Sequence, residues 1–203
     1  MSTAAWERML EVQTAEQTQA LAAALGAVLE PGDLLVLTGE LGAGKTTFTQ
    51  GLGEGLGVRA GIISPTFVLV RIHPNLPEGP RPGGPDLVHV DAYRLESASE
   101  IDDIDLENTL DSAVTVVEWG RDRVEHLSDS RLEVELHRTL GGPERRAPGN
   151  EAAAVVLDFD TDDDDEPRTV VIRGFGPRWA HPPVLPGELD LPETLPETRE
   201  RNS

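Results

Sequence analysis

Eight consecutive residues, Gly39-Glu40-Leu41-Gly42-Ala43-Gly44-Lys45-Thr46, place glycines at the first, fourth and sixth positions and close on a lysine and a hydroxyl. Glycines so spaced let the backbone curl into a concavity whose N–H groups converge on an anion. A helix starting at Lys45 adds the positive end of its dipole. A lysine there is a compact charge for terminal phosphates, and the threonine hydroxyl is a hard oxygen ligand for Mg²⁺. The string satisfies GxxxxGK[ST] between an apolar run, Leu34 to Leu37, and a predicted helix, the context in which the pattern is a phosphate-binding loop (P-loop). Lys45 is also the sole lysine, every other Lys/Arg position being arginine. A chain that otherwise uses the guanidinium keeps one ammonium where a small charge must sit among phosphate oxygens.

Two further runs have the form of a buried strand closing on an acid: Leu87-Val88-His89-Val90-Asp91 and Val114-Thr115-Val116-Val117-Glu118. In a parallel α/β sheet such residues emerge at the carboxyl edge, on the side of the phosphate loop. By position alone either acid could hold Mg²⁺ while the other positions water. Ser64-Pro65-Thr66-Phe67 falls between the loop's helix and the next strand. Thr66 could touch the cation or the terminal phosphate there, although Ser-Pro-Thr is equally an ordinary turn. Arg94 either neutralises phosphate charge or pairs with Glu96 and Glu100 at the surface. Trp119 either packs or shields the site beside Glu118.

The elements that must position these residues are legible in outline. Thr14 followed by Gln17 is a capping-box pattern, and apolar residues at helical spacing continue to Leu29, where Pro31-Gly32 ends the helix. A second helix is predicted from Lys45 towards Gly57, its later half weakened by Gly51, Gly53 and Gly55. Strands are predicted at 68–72, 87–91 and 114–118, with a helix over 99–110 and part of a short helix at 124–127. The segments 131–136, 153–159 and 169–172 read as antiparallel strands extending the sheet. The proline-rich stretch 74–86 is predicted to be a surface loop. The expected fold is α/β, a three-layer P-loop NTPase domain over 1–179 with a mainly parallel central sheet. An acidic loop at 160–167 and a disordered, acidic, Pro-rich tail at 180–203 complete the expected organisation.

Composition narrows the functions open to such a domain. With 203 residues, 17 basic and 37 acidic side chains, the net charge of −20 argues against an autonomous nucleic-acid binder. The absence of cysteine excludes disulfides, thiol catalysis and thiolate zinc sites, and the five histidines show no close ligand spacing. The N-terminal stretch carries charges where a signal core would be, and no apolar run approaches a membrane span, so the expected location is cytoplasmic, with no membrane partner.

The set Gly39 to Phe48, Ser64-Pro-Thr-Phe67, Asp91-Ala-Tyr-Arg-Leu95 and Glu118-Trp119, in this order and spacing, resembles the TsaE (formerly YjeE) family. The resemblance covers about residues 10–140. It implies an ATPase of tRNA threonylcarbamoyladenosine (t6A) modification that works with TsaB and TsaD, TsaD acting on the adenosine beside the anticodon. tRNA is then reached only through the complex. Carried onto this chain, the resemblance implies ATP contacts from Gly39, Glu40, Leu41, Gly42, Ala43, Gly44, Lys45, Thr46 and Thr47. Thr46 and Glu118 would lie on Mg²⁺, Asp91 would serve hydrolysis, and Thr66 would make a switch-like contact. Trp119 would neighbour the nucleotide, and Thr14 would lie near its base.

Two other readings of the same loop are a small-molecule kinase and a nucleotide-dependent regulatory binding protein. The first lacks a visible acceptor constellation and an arginine-bearing lid. The second, as a guanine-nucleotide switch, would use Asn-Lys-x-Asp, which a chain with one lysine inside its phosphate loop cannot supply.

Overall fold

The computed structural model describes residues 3–95, 100–101, 106–138 and 166–185. Within them one sheet is formed by β1 (Trp6–Val12), β2 (Leu34–Gly39), β3 (Val70–His73), β4 (Asp86–Asp91), β5 (Ala113–Glu118), β6 (Arg131–Arg138) and β7 (Arg168–Phe175). Its lateral order is β1-β7-β6-β2-β5-β4-β3. The central strands β6, β2, β5 and β4 are parallel, while β1, β7 and β3 join antiparallel at the two sides. This is the expected α/β architecture, a parallel centre widened by antiparallel strands. Helices among the described residues include α1 (Ala15–Gly26), α2 (Lys45–Leu56) and the single turn α3 (Glu107–Leu110), with a 3-10 turn at Pro177–Trp179.

Strand β2 explains the layering. Leu35 and Leu37 enter a core with Leu21, Leu25, Phe48 and Leu52 of α1 and α2, whereas Leu34 and Val36 enter a second core with Leu95, Ile101, Leu106 and Val124. A strand buried on both faces is continuously apolar rather than alternating. Among the described residues the second covering layer consists of α3, Ala92, Leu95, Ile101 and a series of turns after β5.

Helix α1 starts as its capping pattern predicts. The Gln17 amide donates to Thr14 Oγ1 at 3.2 Å, and the Gln17 side chain accepts from the Gln13 amide at 2.7 Å. Two of the α2 glycines, unfavourable by propensity, are where α1 crosses closely, while Gly53 makes room for the Ile62 side chain. A Cβ at Gly51 would collide with the Gln19 carbonyl and one at Gly55 with the Ala23 carbonyl. The helix therefore persists to Leu56, because backbone contact with α1 replaces what propensity withholds.

Four expectations change. Strand β1 has no counterpart in the sequence reading; its pairing partner is β7, more than 150 residues away, and so it is invisible locally. Strand β6 pairs antiparallel with β7 but parallel with β2. The first strand of the β3–β4 hairpin starts at Val70 rather than 68, because Val68 and Leu69 complete turns onto the Pro65 carbonyl. Residues 124–127 form turns instead of a helix, since Trp119 and Asp122 take positive φ and interrupt the helical path.

The loop between β3 and β4 is surface chain that is tied down. Asn75 Nδ2 donates to the carbonyls of Leu56 and Arg81, and an Arg81 guanidinium nitrogen reaches the Gly26 carbonyl. These donors serve carbonyls at the ends of α2 and α1, which helix geometry leaves without partners. Packing also continues past residue 179, with Leu185 against the larger core. The predicted strand 153–159, residues 160–165, residues 99 and 102–105 of the predicted helix 99–110 and the tail from 186 lie outside the described residues.

Candidate functional site

The carboxyl ends of the parallel strands meet the start of α2 at one edge. There a cavity of about 480 Å³ is lined by Leu41, Gly42, Gly44, Lys45, Thr46, Thr47, Ser64, Thr66, Asp91, Tyr93, Glu118, Trp119 and Arg168. Ten of the residues proposed from sequence thus share one wall system. Gly39, Glu40, Ala43 and Thr14 do not line it. Gly39 and Glu40 serve through their carbonyls, Ala43 is buried beneath the loop, and Thr14 spends its hydroxyl capping α1.

The loop has its shape because glycine is required in it. Gly39 has φ +146°, and a Cβ there would stand 2.5 Å from the Leu136 carbonyl of β6. Gly44 has φ +97° and is the N-cap residue of α2. Lacking a side chain, it leaves the first N–H groups of the helix without a side-chain cap beside the cavity, an arrangement suited to an anion. Lys45 folds back over this loop. Its Nζ donates to Gly39 O at 2.9 Å and Glu40 O at 2.8 Å, and lies 4.0 Å from the centre of the Trp119 ring. Burial pushes the ammonium below its ordinary pKa, while the carboxylates of Glu118 and Asp91 act in the opposite sense.

Asp91 and Glu118 end adjacent strands and stand side by side in register. Their partners differ. Thr46 Oγ1 donates to Glu118 Oε1 at 3.3 Å, and His89 Nε2 lies 2.8 Å from that same oxygen. Asp91 Oδ2 accepts from Ser64 Oγ at 3.1 Å and Thr66 Oγ1 at 2.5 Å, and its Oδ1 accepts from the Tyr93 amide at 2.9 Å. Among the described residues no cluster of three or more His, Cys, Asp or Glu could cage a metal ion. Thr46 and Glu118 instead form a sparse, all-oxygen pair beside the glycine loop. That donor set fits Mg²⁺, which keeps several waters and takes much of its coordination from phosphates.

Trp119 holds φ +62°, with its ring over Lys45 and 5.3 Å from the ring of Tyr93, and so walls one side of the cavity. Arg94 is not among the lining residues; its guanidinium lies 5.0 Å from the Phe67 ring centre.

Sequence reasoning missed His89 and Arg168. His89 could have been found by its period-two spacing from Asp91, which sets both on one face of β4. Arg168 carries no local signal, because it reaches the loop through the β6–β7 pairing, opposite Arg138. Its Nε is buried without a hydrogen-bond partner, while an outer nitrogen donates to Glu166 O at 3.1 Å.

Residues 12–147 match the family model described as threonylcarbamoyl adenosine biosynthesis protein TsaE. A tRNA threonylcarbamoyladenosine biosynthesis protein TsaE from Streptomyces coelicolor is 46% identical over 157 residues, 77% of this chain and 89% of that protein. The protein of the same name from Bacillus subtilis is 40% identical over 131 residues, 64% of this chain and 77% of that protein. The crystal structure of YdiB from Bacillus subtilis superposes with a TM-score of 0.57 at 27% identity, covering 88% of this chain and 90% of the other.

Proposed function

The chain belongs to the TsaE family of tRNA threonylcarbamoyladenosine biosynthesis, and from that membership and the geometry above we propose that it is a Mg²⁺-dependent ATPase of the t6A machinery. The observation that carries the reading is the convergence on one cavity of an uncapped helix start, the buried Lys45, the Thr46–Glu118 pair and the hydroxyl-bound Asp91.

Each residue then has a role. The loop amides and Lys45 hold the phosphates, the lysine exchanging two backbone carbonyls for phosphate oxygens. Thr46 and Glu118 hold the cation, which supplies charge neutralisation on the phosphates when bound with the nucleotide. Asp91 accepts hydrogen bonds from two hydroxyls, so its carboxylate is kept as an acceptor, able to orient a water for in-line attack on the terminal phosphate. Thr66 reports the state of that acid, because its hydroxyl is shared between Asp91 and the cavity. Trp119 and Tyr93 exclude water from one side. Positioning and electrostatic stabilisation supply most of the rate enhancement in such transfers.

The partners are homologues of TsaB and TsaD in the cytoplasm, with tRNA engaged only through them. The net charge of −20 supports that indirect route, since a phosphate backbone would be repelled by this surface. The described residues contain no helix long and apolar enough to cross a membrane.

The test is phosphate release from ATP by the purified chain, alone and with its host's TsaB and TsaD homologues plus tRNA, with Lys45→Ala as the blank. Stimulation by the partners is the expected result; equal turnover with and without them removes the partner assignment. Asp91→Asn should keep nucleotide affinity and lose turnover by about 100-fold or more. Normal hydrolysis by that variant refutes its role. A phosphorylated metabolite in place of free phosphate would establish the kinase reading instead, and preferential displacement of labelled ATP by GTP would overturn the choice of adenine.

A further inference from the structure

His89 sits in the middle of β4, wholly shielded from solvent, and none of the roles above uses it. Its lateral neighbour on β5 is Val116, so Glu118 stands diagonally across the strand pair, two residues nearer the carboxyl edge. The ring reaches that carboxylate through Nε2, 2.8 Å from Oε1, while Nδ1 is buried without a partner.

The chemistry of the contact selects the tautomer. A neutral imidazole has one N–H and one lone pair, and a carboxylate can only accept. With the proton on Nε2, the ring donates to Glu118 and leaves a bare lone pair at Nδ1. With the proton on Nδ1, a lone pair would face a carboxylate oxygen and a buried N–H would be unmatched, a double penalty. The Thr46 hydroxyl donates to the same oxygen. Among the described residues, the hydrogen bonds to the Glu118 carboxylate thus converge on Oε1. Two donors on one oxygen stop the carboxylate rotating about its terminal bond and leave Oε2 for another ligand.

We propose that His89 is a positioning residue for the metal-binding carboxylate, its Nε2–H locking Glu118 in the rotation that presents Oε2 to the cation. The inference rests on the reading of Glu118 as a Mg²⁺ ligand. It assigns to an imidazole the outer-shell work that hydrogen-bond partners perform for ligating side chains, whose removal lowers metal affinity by roughly 10–100-fold. His73 on β3, with its ring centre 6.3 Å from that of His89, is a built-in comparison: a second buried histidine next to the first that makes no contact with Glu118 in the described hydrogen bonds.

The experiment is Mn²⁺ binding to the ADP-loaded protein, followed by electron paramagnetic resonance, for the parent chain and for Glu118→Gln, His89→Leu, His89→Gln and His73→Leu. Thermal denaturation of each checks folding. His89→Leu should bind Mn²⁺ about 10–100-fold more weakly. His89→Gln, whose amide can donate to Oε1, should recover most of that loss, and His73→Leu should bind like the parent. Parent-like affinity in His89→Leu, or equal losses in His89→Leu and His73→Leu, overturns the proposal. If Glu118→Gln itself binds Mn²⁺ like the parent, the reading of Glu118 fails, a separate result from the failure of His89. Nitrogen-15 spectra of the histidine rings in the unsubstituted, metal-free protein supply a measurement independent of any variant's folding. A His89 ring protonated at Nε2 is expected, and one protonated at Nδ1 overturns the inference.

Discussion

Arg173 bonds both Glu7 and Glu135 across β1, β7 and β6, and Arg121 joins the same Glu135 while touching the Thr38 hydroxyl. At the carboxyl edge of the same sheet Lys45 leans on two backbone carbonyls, Arg168 keeps a buried N–H unmatched, and α2 starts without a side-chain cap. The first group is electrostatically closed: its cations and anions answer one another, and the Arg121 guanidinium, followed by that of Arg173, holds the Glu135 carboxyl down at about 2. The second is a set of donors in excess of the acceptors the chain provides. A closed network is what structure alone requires, whereas surplus buried donors suit an anion from outside, as the proposed function requires.

That contrast can be broken by substitution. The largest effect belongs to Lys45→Ala, expected to weaken nucleotide affinity by about 100-fold, roughly 2.7 kcal/mol, with little change in thermal stability. Retained affinity, measured by titration with a fluorescent nucleotide, would show the loop working without its point charge.

Arg168→Ala should cost about tenfold in nucleotide affinity, roughly 1.4 kcal/mol, and lower stability by no more than its one hydrogen bond to Glu166 O, about 1 kcal/mol, because its buried Nε–H has no partner to lose. If it unfolds the protein and leaves affinity intact, Arg168 belongs with the closed network instead.

Glu135→Gln should reverse the pattern, leaving nucleotide affinity unchanged and lowering stability by about 1 kcal/mol at neutral pH. The folded-state pKa of about 2 lies below the ordinary 4.5, so the carboxylate's contribution is complete above 4.5 and disappears as pH falls towards 2. Urea unfolding of the two proteins should therefore converge across that window. A difference independent of pH would show that the ion pairs contribute nothing and that packing carries the effect.

Much of the site was legible because it is local. Gly39 to Thr46 is one uninterrupted segment whose chemistry and backbone demands are written in consecutive residues. Asp91 and Glu118 each announce themselves by closing an apolar run. Thr66 could be read from the sequence equally as a contact to the cation or terminal phosphate and as an ordinary turn residue, and the structure sets its hydroxyl 2.5 Å from Asp91. Arg168 and β1 were not legible, since each is placed by pairing between distant segments, and the open face of β6 and β7 conceals that β6 also pairs parallel with β2.

The sequence by itself determined the glycine loop, its single lysine, the two edge acids and the α/β class, because short-range sterics and burial periodicity act within one element. Only the tertiary structure decided which acid stands by Thr46 and which by Ser64 and Thr66, and which arginines close a network rather than face the cavity. Those choices depend on strand order and register, set by the packing of the whole sheet and its two cores, which no single segment encodes.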